Sequence, residues 1–150
     1  MNKTISEFLT GNPANTIRAD ATAMDAITAM TSERHDYVLV MDNETIAGIF
    51  TERDFLNRVL GERLSPAEVS IWEVMTPNPE YLVSSDYIAY AIERMARYGF
   101  RNIPIVDPDK PPMVLTIWNV MSHLSEILAD VEEDEIDRVI LEEFTDTGGG

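Results

Sequence analysis

The periodicity of apolar residues changes several times along the chain and marks its secondary structure. Apolar residues recur every three or four positions in residues 21–34 and 87–99, which predicts two amphipathic helices. Each helix is followed by a short apolar run ending in aspartate, at residues 37–42 and 102–107, as expected of a buried strand. A turn, a return strand and a further helix complete both segments. With a very short strand before each helix, the pattern predicts the order β-α-β-β-α twice.

The two segments are copies of one unit, because the chain aligns with itself at an offset of 65 residues. At this offset Met30 falls on Met95, and Thr51 falls on Thr116. Upstream the offset becomes 66, which a single deleted residue near position 86 explains. A period of about sixty residues is that of a whole supersecondary unit rather than of a short solenoid repeat.

Neither copy can bury both faces of a three-stranded sheet on its own, so we expect the two to share a core. The predicted fold is α+β, with two β-α-β-β-α repeats packed sheet to sheet about a pseudo-twofold axis and helices outside. We place the first repeat at residues 1–62 and the second, with a linker helix, at residues 63–129. Residues 130–150 are predicted to form an acidic helix and a glycine tail.

The acidic C-terminal helix carries one apolar stripe, formed by Ile136, Val139, Ile140 and Phe144. The favoured interpretation is that this stripe packs on its own domain or on a dimer mate. Docking to a separate partner protein is the alternative. The acidic run at residues 132–135 has no histidine and no fixed ligand spacing, so it is interpreted as a solvated face.

The charge of the chain and its lack of cysteine exclude several classes of function. The chain carries 27 acidic against 11 basic residues, and its net charge of −16 disfavours nucleic acid as a partner. It has no cysteine, which excludes disulfides and a cysteine nucleophile. No apolar run approaches the roughly 18 residues of a membrane span, so we expect a cytoplasmic protein without membrane contact. Neither a catalytic set of nucleophile, base and orienting group nor a metal-binding set can be recognised, so we expect no enzyme and no metal.

The stretch GIFTERD places a hydroxyl, a guanidinium and a carboxylate where a strand becomes a helix. The unpaired N–H groups of a helix N-terminus attract anions, and the Thr51 hydroxyl and Arg53 can both bind a phosphate there. The Asp54 carboxylate can accept the two hydroxyls of a ribose. Gly48, in the preceding strand, lets a ligand approach the backbone. The alternative is that Thr51 and Asp54 form a capping box and only stabilise the helix.

The repeat resembles the CBS domain family in its common paired form, the Bateman module. The matching stretches are GIFTERD, GFRNIPIVD and VMTPNP, and the similarity spans residues 4–129. The resemblance implies that an adenosine-containing ligand, such as AMP, ADP, ATP or S-adenosylmethionine, binds in the cleft between the copies. It also implies a regulatory role toward a partner protein and assembly as a homodimer. A ligand-free dimerisation scaffold is the alternative function.

The resemblance further implies two clefts of unequal quality. In such pairs a cleft takes its Thr-x-x-Asp motif from one copy and its adenine wall from the other. One cleft therefore combines an intact motif with an intact wall. The first copy supplies Thr51, Arg53 and Asp54, and the second supplies Leu82, Val83, Arg101, Ile103 and Pro104. The reciprocal cleft is expected to be weak or empty, because asparagine replaces the aspartate and bonds a ribose without charge. Its residues are Ile17, Leu39, Thr116 and Asn119.

Overall fold

The structure of this chain is a computed structural model, and it describes residues 2–130. Side chains are described as far as residue 125. The predicted C-terminal stripe, which consists of Ile136, Val139, Ile140 and Phe144, therefore lies outside the described residues. Within residues 2–130, no helix has both the length and the apolar character needed to cross a membrane.

The first copy folds in the predicted order. Its elements are β1 (Thr16–Arg18), α1 (Ala23–Glu33), β2 (Tyr37–Asp42), β3 (Thr45–Thr51) and α2 (Glu52–Asp54), which continues as a π-helix at Phe55–Leu60. Helix α1 starts where it does because Thr22 and Asp25 cap each other, with side-chain to backbone distances of 2.9 and 3.1 Å. It ends at Arg34, whose left-handed φ of 56° stops the helix.

The second copy keeps its hairpin and both long helices. A linker with α3 (Ile71–Val74) and β4 (Thr76–Pro77) leads into α4 (Ile88–Tyr98), β5 (Asn102–Ile105), β6 (Met113–Thr116) and α5 (Ile117–Asp130). Gly99 ends α4 with a φ of 72°, as the sequence predicts. The predicted first strand is reduced to one bridge between Leu82 and Ile105. The next two N–H groups, of Val83 and Ser84, donate to the side chains of Asp86 and Asp107, so the ladder does not continue.

The strands form two sheets. β1 runs parallel to β2, and β2, β3 and β4 are antiparallel neighbours in one four-stranded sheet. β5 and β6 form a second, antiparallel sheet. The linker strand β4 therefore belongs to the sheet of the first copy, where Thr76 is the partner of Ile49 and Pro77 is the partner of Gly48.

The two sheets pack against each other as predicted. Leu39 and Ile49 of the first sheet contact Val114 of the second in one buried cluster. On the opposite face of the first sheet, Ala26 and Met30 of α1 belong to a separate core. This alternation along the strands confirms the α+β fold of two repeats packed sheet to sheet.

Each core is completed by a segment that precedes the other copy. Ile5 and Phe8, near the N-terminus, are fully buried in the core of the second copy. Ile71 and Val74, in the linker, are buried in the core of the first copy. The N-terminal segment and the linker therefore each pack in the core on the other side of the boundary predicted at residues 62–63. Neither copy completes its core without the segment that precedes the other.

Gly48 makes room for the linker strand. A Cβ atom at this position would lie 2.5 Å from Sδ of Met75 and 2.7 Å from the carbonyl oxygen of Thr76. Both distances are too short for non-bonded atoms, so only glycine allows β4 to lie this close to β3. Packing against β4, rather than the approach of a ligand, accounts for the glycine.

Candidate functional site

Two clefts are lined by residues of both copies. Cleft A has a volume of about 620 Å³ and is defined by Thr51, Asp54, Thr76, Phe100, Arg101 and Pro104. Cleft B has a volume of about 1290 Å³ and is defined by Asn15, His35, Tyr37, Thr116, Trp118 and Asn119. Asp36 and Glu52 line both clefts, so these two acids lie where the clefts meet.

Cleft A brings together six of the eight residues predicted for the better site, namely Thr51, Arg53, Asp54, Arg101, Ile103 and Pro104. Leu82 and Val83 are not among its lining residues. Leu82 is 7% exposed and packs in the core of the second copy. Its backbone N–H and carbonyl are bonded to Pro104 and Val106, which holds its side chain in the core. The predicted wall at Leu82 and Val83 is therefore corrected, because the segment is tied to β5.

Cleft B contains Thr116 and Asn119, but not Ile17 or Leu39. Leu39 is fully buried between the sheets, and Ile17 packs against the core of the first copy. Successive residues of a strand face opposite sides, and it is Thr16 that lines the cleft. The predicted wall at Ile17 and Leu39 is therefore corrected, since both side chains are committed to apolar packing.

Asp54 is a buried carboxylate on the wall of cleft A, with 7% of its surface exposed. Its Oδ2 accepts hydrogen bonds from the N–H and the hydroxyl of Thr51, at 3.1 and 3.3 Å. Its Oδ1 accepts one from the Thr76 hydroxyl at 3.1 Å and lies 3.5 Å from Nε of Arg58. The Thr51 hydroxyl also accepts the N–H of Asp54, at 3.4 Å. The capping box is formed, and both carboxylate oxygens already have partners.

Arg58 ties this carboxylate to the linker. It lies one helical turn after Asp54, and its Nη1 donates to the carbonyl oxygen of Met75 at 2.6 Å. The next residue, Thr76, begins β4. Sequence reasoning missed both Arg58 and Thr76. The i,i+4 spacing of Asp54 and Arg58 is a visible signal for an ion pair. Thr76 gave no such signal, because its partner lies in another element.

Two arginines stand at cleft A, one from each copy. Arg53 and Arg101 are both exposed, and within residues 2–125 neither is paired with a carboxylate. Nη1 of Arg53 lies 3.9 Å from the place that a Cβ of Gly99 would take, so its guanidinium reaches the end of α4 in the second copy. Two guanidiniums at one cleft can together bind one anionic group.

Aromatic rings lie beside these arginines and were missed in the sequence. Tyr98 and Phe100 both line cleft A and stack with ring centroids 5.5 Å apart. Arg94 lies over the Tyr98 ring, 4.8 Å from its centroid, and pairs with Glu80 on the cleft wall. The hydrogen bond to Glu80 raises the pKa of Arg94. Pairing with Arg94 offsets the charge of Glu80, which leaves this side of the cleft more favourable for an anion.

Comparison with known proteins identifies the fold family. The sequence matches the CBS domain model at residues 5–61 and again at residues 71–126. The chain belongs to the CBS domain family. It is a tandem CBS pair, and the two matches coincide with the two copies seen as an internal repeat. The resemblance drawn from the motifs is confirmed.

The relatives of this CBS pair differ widely in length. The meiotically up-regulated gene 70 protein of Schizosaccharomyces pombe is 33% identical over 113 residues, which are 75% of this chain but 16% of that protein. A CBS-domain protein from Burkholderia ambifaria MC40-6, named for a role in signal transduction, has a solved structure with a TM-score of 0.76 and 25% identity. That match covers 87% of this chain and 97% of the solved one.

Two further solved CBS structures contain adenosine compounds. PAE2072 from Pyrobaculum aerophilum is complexed with AMP and matches with a TM-score of 0.68, at 23% identity over 78% of this chain and 89% of that one. The CBS pair of MJ0100 contains 5′-methylthioadenosine and S-adenosyl-L-methionine and matches with a TM-score of 0.71, at 18% identity over 81% of this chain and 99% of that one. At these identities the likeness establishes the shared fold.

Cleft B of the CBS pair has a different chemistry from cleft A. Asn119 stands where the first copy has Asp54, and its Oδ1 accepts the N–H of Thr116 at 2.9 Å. The Tyr37 hydroxyl accepts the N–H of Asn15 at 3.3 Å. Burial raises the pKa of Tyr37, so this hydroxyl stays protonated near neutral pH. At the position equivalent to Asp54, cleft B therefore has a neutral amide where cleft A has a carboxylate.

Asp36 and Asn102 join the two CBS copies between the clefts. Nδ2 of Asn102 donates to Oδ1 of Asp36 at 3.1 Å, which connects β5 of the second copy to the start of β2 in the first. Oδ1 of Asn102 is buried and has no partner among the described residues. Within the part of the chain that the structure describes, no three His, Asp or Glu side chains are grouped as a metal site.

Proposed function

We propose that this CBS pair binds an adenosine nucleotide in cleft A and signals its occupancy to a partner protein. The observation that carries the proposal is the placement of Arg53 and Arg101, from opposite copies, at a cleft that also holds Asp54. These groups supply charge for a phosphate and a carboxylate beside it for a sugar. The AMP complex of PAE2072, which shares the fold, supports this choice of ligand.

The charges at cleft A favour a phosphorylated ligand. Arg53 and Arg101 are available to bind an anion, while Asp54 and Glu80 are paired with Arg58 and Arg94. The other two acids of the cleft, Asp36 and Glu52, lie where it meets cleft B. AMP, ADP and ATP carry the negative charge that such a pair attracts. S-adenosylmethionine has a positive sulfonium group in place of phosphate and only one carboxylate, so it gains less from the two guanidiniums.

An apolar wall suits the base of such a ligand. Ile49, Ile103 and Pro104 line cleft A, and Tyr98 and Phe100 add stacked rings. Pro104 has no N–H group, so an adenine ring against it meets no unsatisfied donor. A cleft of about 620 Å³ with apolar walls and a few polar anchors is typical of small-molecule sites.

A thermal-shift panel with adenosine, AMP, ADP, ATP and S-adenosylmethionine tests the proposal. At a hundredfold excess over Kd, a phosphorylated ligand should stabilise the full chain by about 2.7 kcal/mol. Replacing Arg101 by alanine should weaken nucleotide binding about tenfold, because a charge-assisted hydrogen bond contributes about 1.5 kcal/mol. Adenosine should bind this variant and the wild type equally.

The matched control is Arg97→Ala, since Arg97 pairs with Glu93 on α4 and lines neither cleft. This variant should bind nucleotides as the wild type does. If no compound shifts the melting temperature, the ligand-free scaffold is the better account of the protein. We propose that cleft B binds more weakly, so the same titration should give one tight equivalent per chain.

We propose that the CBS pair assembles as a homodimer. Two helical segments, α2 with its π-helix and α5, expose large apolar side chains, which are Leu56, Leu60, Trp118, Met121 and Leu124. Large apolar side chains exposed on neighbouring turns of a helix are typical of an interface. Light scattering should give twice the mass of one chain. Replacing Leu60 and Met121, which line neither cleft, by glutamate should give the single mass, whereas a monomeric wild type would contradict the dimer.

A further inference from the structure

We propose that Thr76 is a positioning residue that withholds Oδ1 of Asp54 from the ligand, so that sugar binding and anchoring of β4 compete. The inference rests on the proposed nucleotide site in cleft A. It assigns to the linker strand a part in setting how strongly the site recognises a ribose. It also couples occupancy of the cleft to the segment that joins the two copies.

Three hydrogen bonds and one ion pair surround the buried carboxylate of Asp54. A carboxylate offers about four lone-pair sites, and four donors surround this one. Thr51 provides two of them on Oδ2, and Thr76 and Arg58 approach Oδ1 at 3.1 and 3.5 Å. Because the carboxylate is only 7% exposed, a sugar hydroxyl gains access to it when one of these groups leaves.

Thr76 is the donor that can leave. The two bonds from Thr51 belong to the capping box that begins α2, so losing them frays the helix. Arg58 does not line cleft A, and its Nη1 is fixed by the carbonyl oxygen of Met75 at 2.6 Å. Thr76 lines the cleft beside Asp54, and its hydroxyl can rotate away without moving the backbone.

The competition involves β4 because this strand has few other attachments. Only Thr76 and Pro77 pair with β3, through Ile49 and Gly48. One further backbone bond follows, from the N–H of Asn78 to the carbonyl oxygen of Ala47 at 3.2 Å. Arg58 and the core of the first copy hold Met75, just before the strand, and beyond Met75 the Thr76–Asp54 hydrogen bond is one of few contacts that hold β4. Its exchange for a sugar hydroxyl loosens the linker.

The test compares Thr76→Val with Thr76→Ser in the full chain. Valine matches threonine in shape and strand preference but has no hydroxyl, whereas serine retains it. Affinities are measured by calorimetry for AMP, 2′-deoxy-AMP and 3′-deoxy-AMP. With Oδ1 freed, Thr76→Val should bind AMP more tightly. Its preference for AMP over at least one deoxy analogue should rise about fivefold to tenfold. Thr76→Ser should keep the wild-type preference. Thr76→Ala, also without a hydroxyl, replaces the valine variant if that one does not fold.

The outcomes separate this inference from the proposed function. If the wild type binds AMP but Thr76→Val shows an unchanged or smaller preference for ribose, Thr76 does not compete with the sugar and the inference fails alone. A general loss of stability would change all three affinities together and also counts against it. If the wild type binds no nucleotide, the proposed function fails and the inference fails with it.

Discussion

Replacing Asp54 by alanine is expected to lower the free energy of unfolding by about 2 kcal/mol and to abolish nucleotide binding. The substitution removes half of the capping box, which typically contributes about 1 kcal/mol. It also leaves the Thr76 hydroxyl and the Thr51 N–H without their acceptor, and an unsatisfied donor costs about 1 kcal/mol or more. Urea titration of the apo protein measures the loss. Asp42→Ala, at an exposed carboxylate, is the matched control and should change little.

The variant Asp54→Asn separates the structural role of this residue from its role toward the ligand. The second copy shows that asparagine can complete such a cap, because Oδ1 of Asn119 accepts the Thr116 N–H at 2.9 Å. Asp54→Asn should therefore lose less stability than Asp54→Ala. It should still bind nucleotide weakly, since a neutral amide replaces the charged acceptor. Wild-type affinity in Asp54→Asn would contradict the ligand role, and an unchanged unfolding curve for Asp54→Ala would contradict the observed contacts.

Much of the fold could be predicted because its signals are local. The helices at residues 21–34 and 87–99 show their period within three turns, and Gly99 marks the end of the second. The exchange of Ile5 and Phe8 into the core of the second copy could not be predicted in this way. Their partners lie some eighty or more residues away, as the hydrogen bond from Ile5 to Asp86 shows, and no periodicity encodes a contact of that range.

The candidate site was predicted where the motif itself supplies the residues. Thr51 and Asp54 lie in one turn of helix, so their spacing alone brings them together. The prediction of the wall residues depended on which face of a strand meets the cleft. An error of one residue along a strand selects the opposite face, as happened with Ile17 in place of Thr16. Thr76 was missed because it reaches Asp54 only through the pairing of β4 with β3.

Replacing Gly48 by alanine is expected to destabilise the protein by about 2–3 kcal/mol, through the same strand pairing. The new methyl group would lie 2.5 Å from Sδ of Met75, a flexible side chain that can move. It would also lie 2.7 Å from the carbonyl oxygen of Thr76, which moves only if β4 moves. Urea titration should therefore show a lower midpoint for Gly48→Ala.

The control is Gly11→Ala, where an added Cβ would meet nothing within 4 Å. Both substitutions restrict the unfolded chain alike, by about 0.4–1 kcal/mol, so their difference isolates the clash with β4. Since a displaced β4 carries Thr76 away from Asp54, Gly48→Ala should also raise the preference for AMP over a deoxy analogue. A Gly48→Ala protein as stable as the control would mean that β4 does not pack on β3. Strand pairing would then not be what brings Thr76 to Asp54.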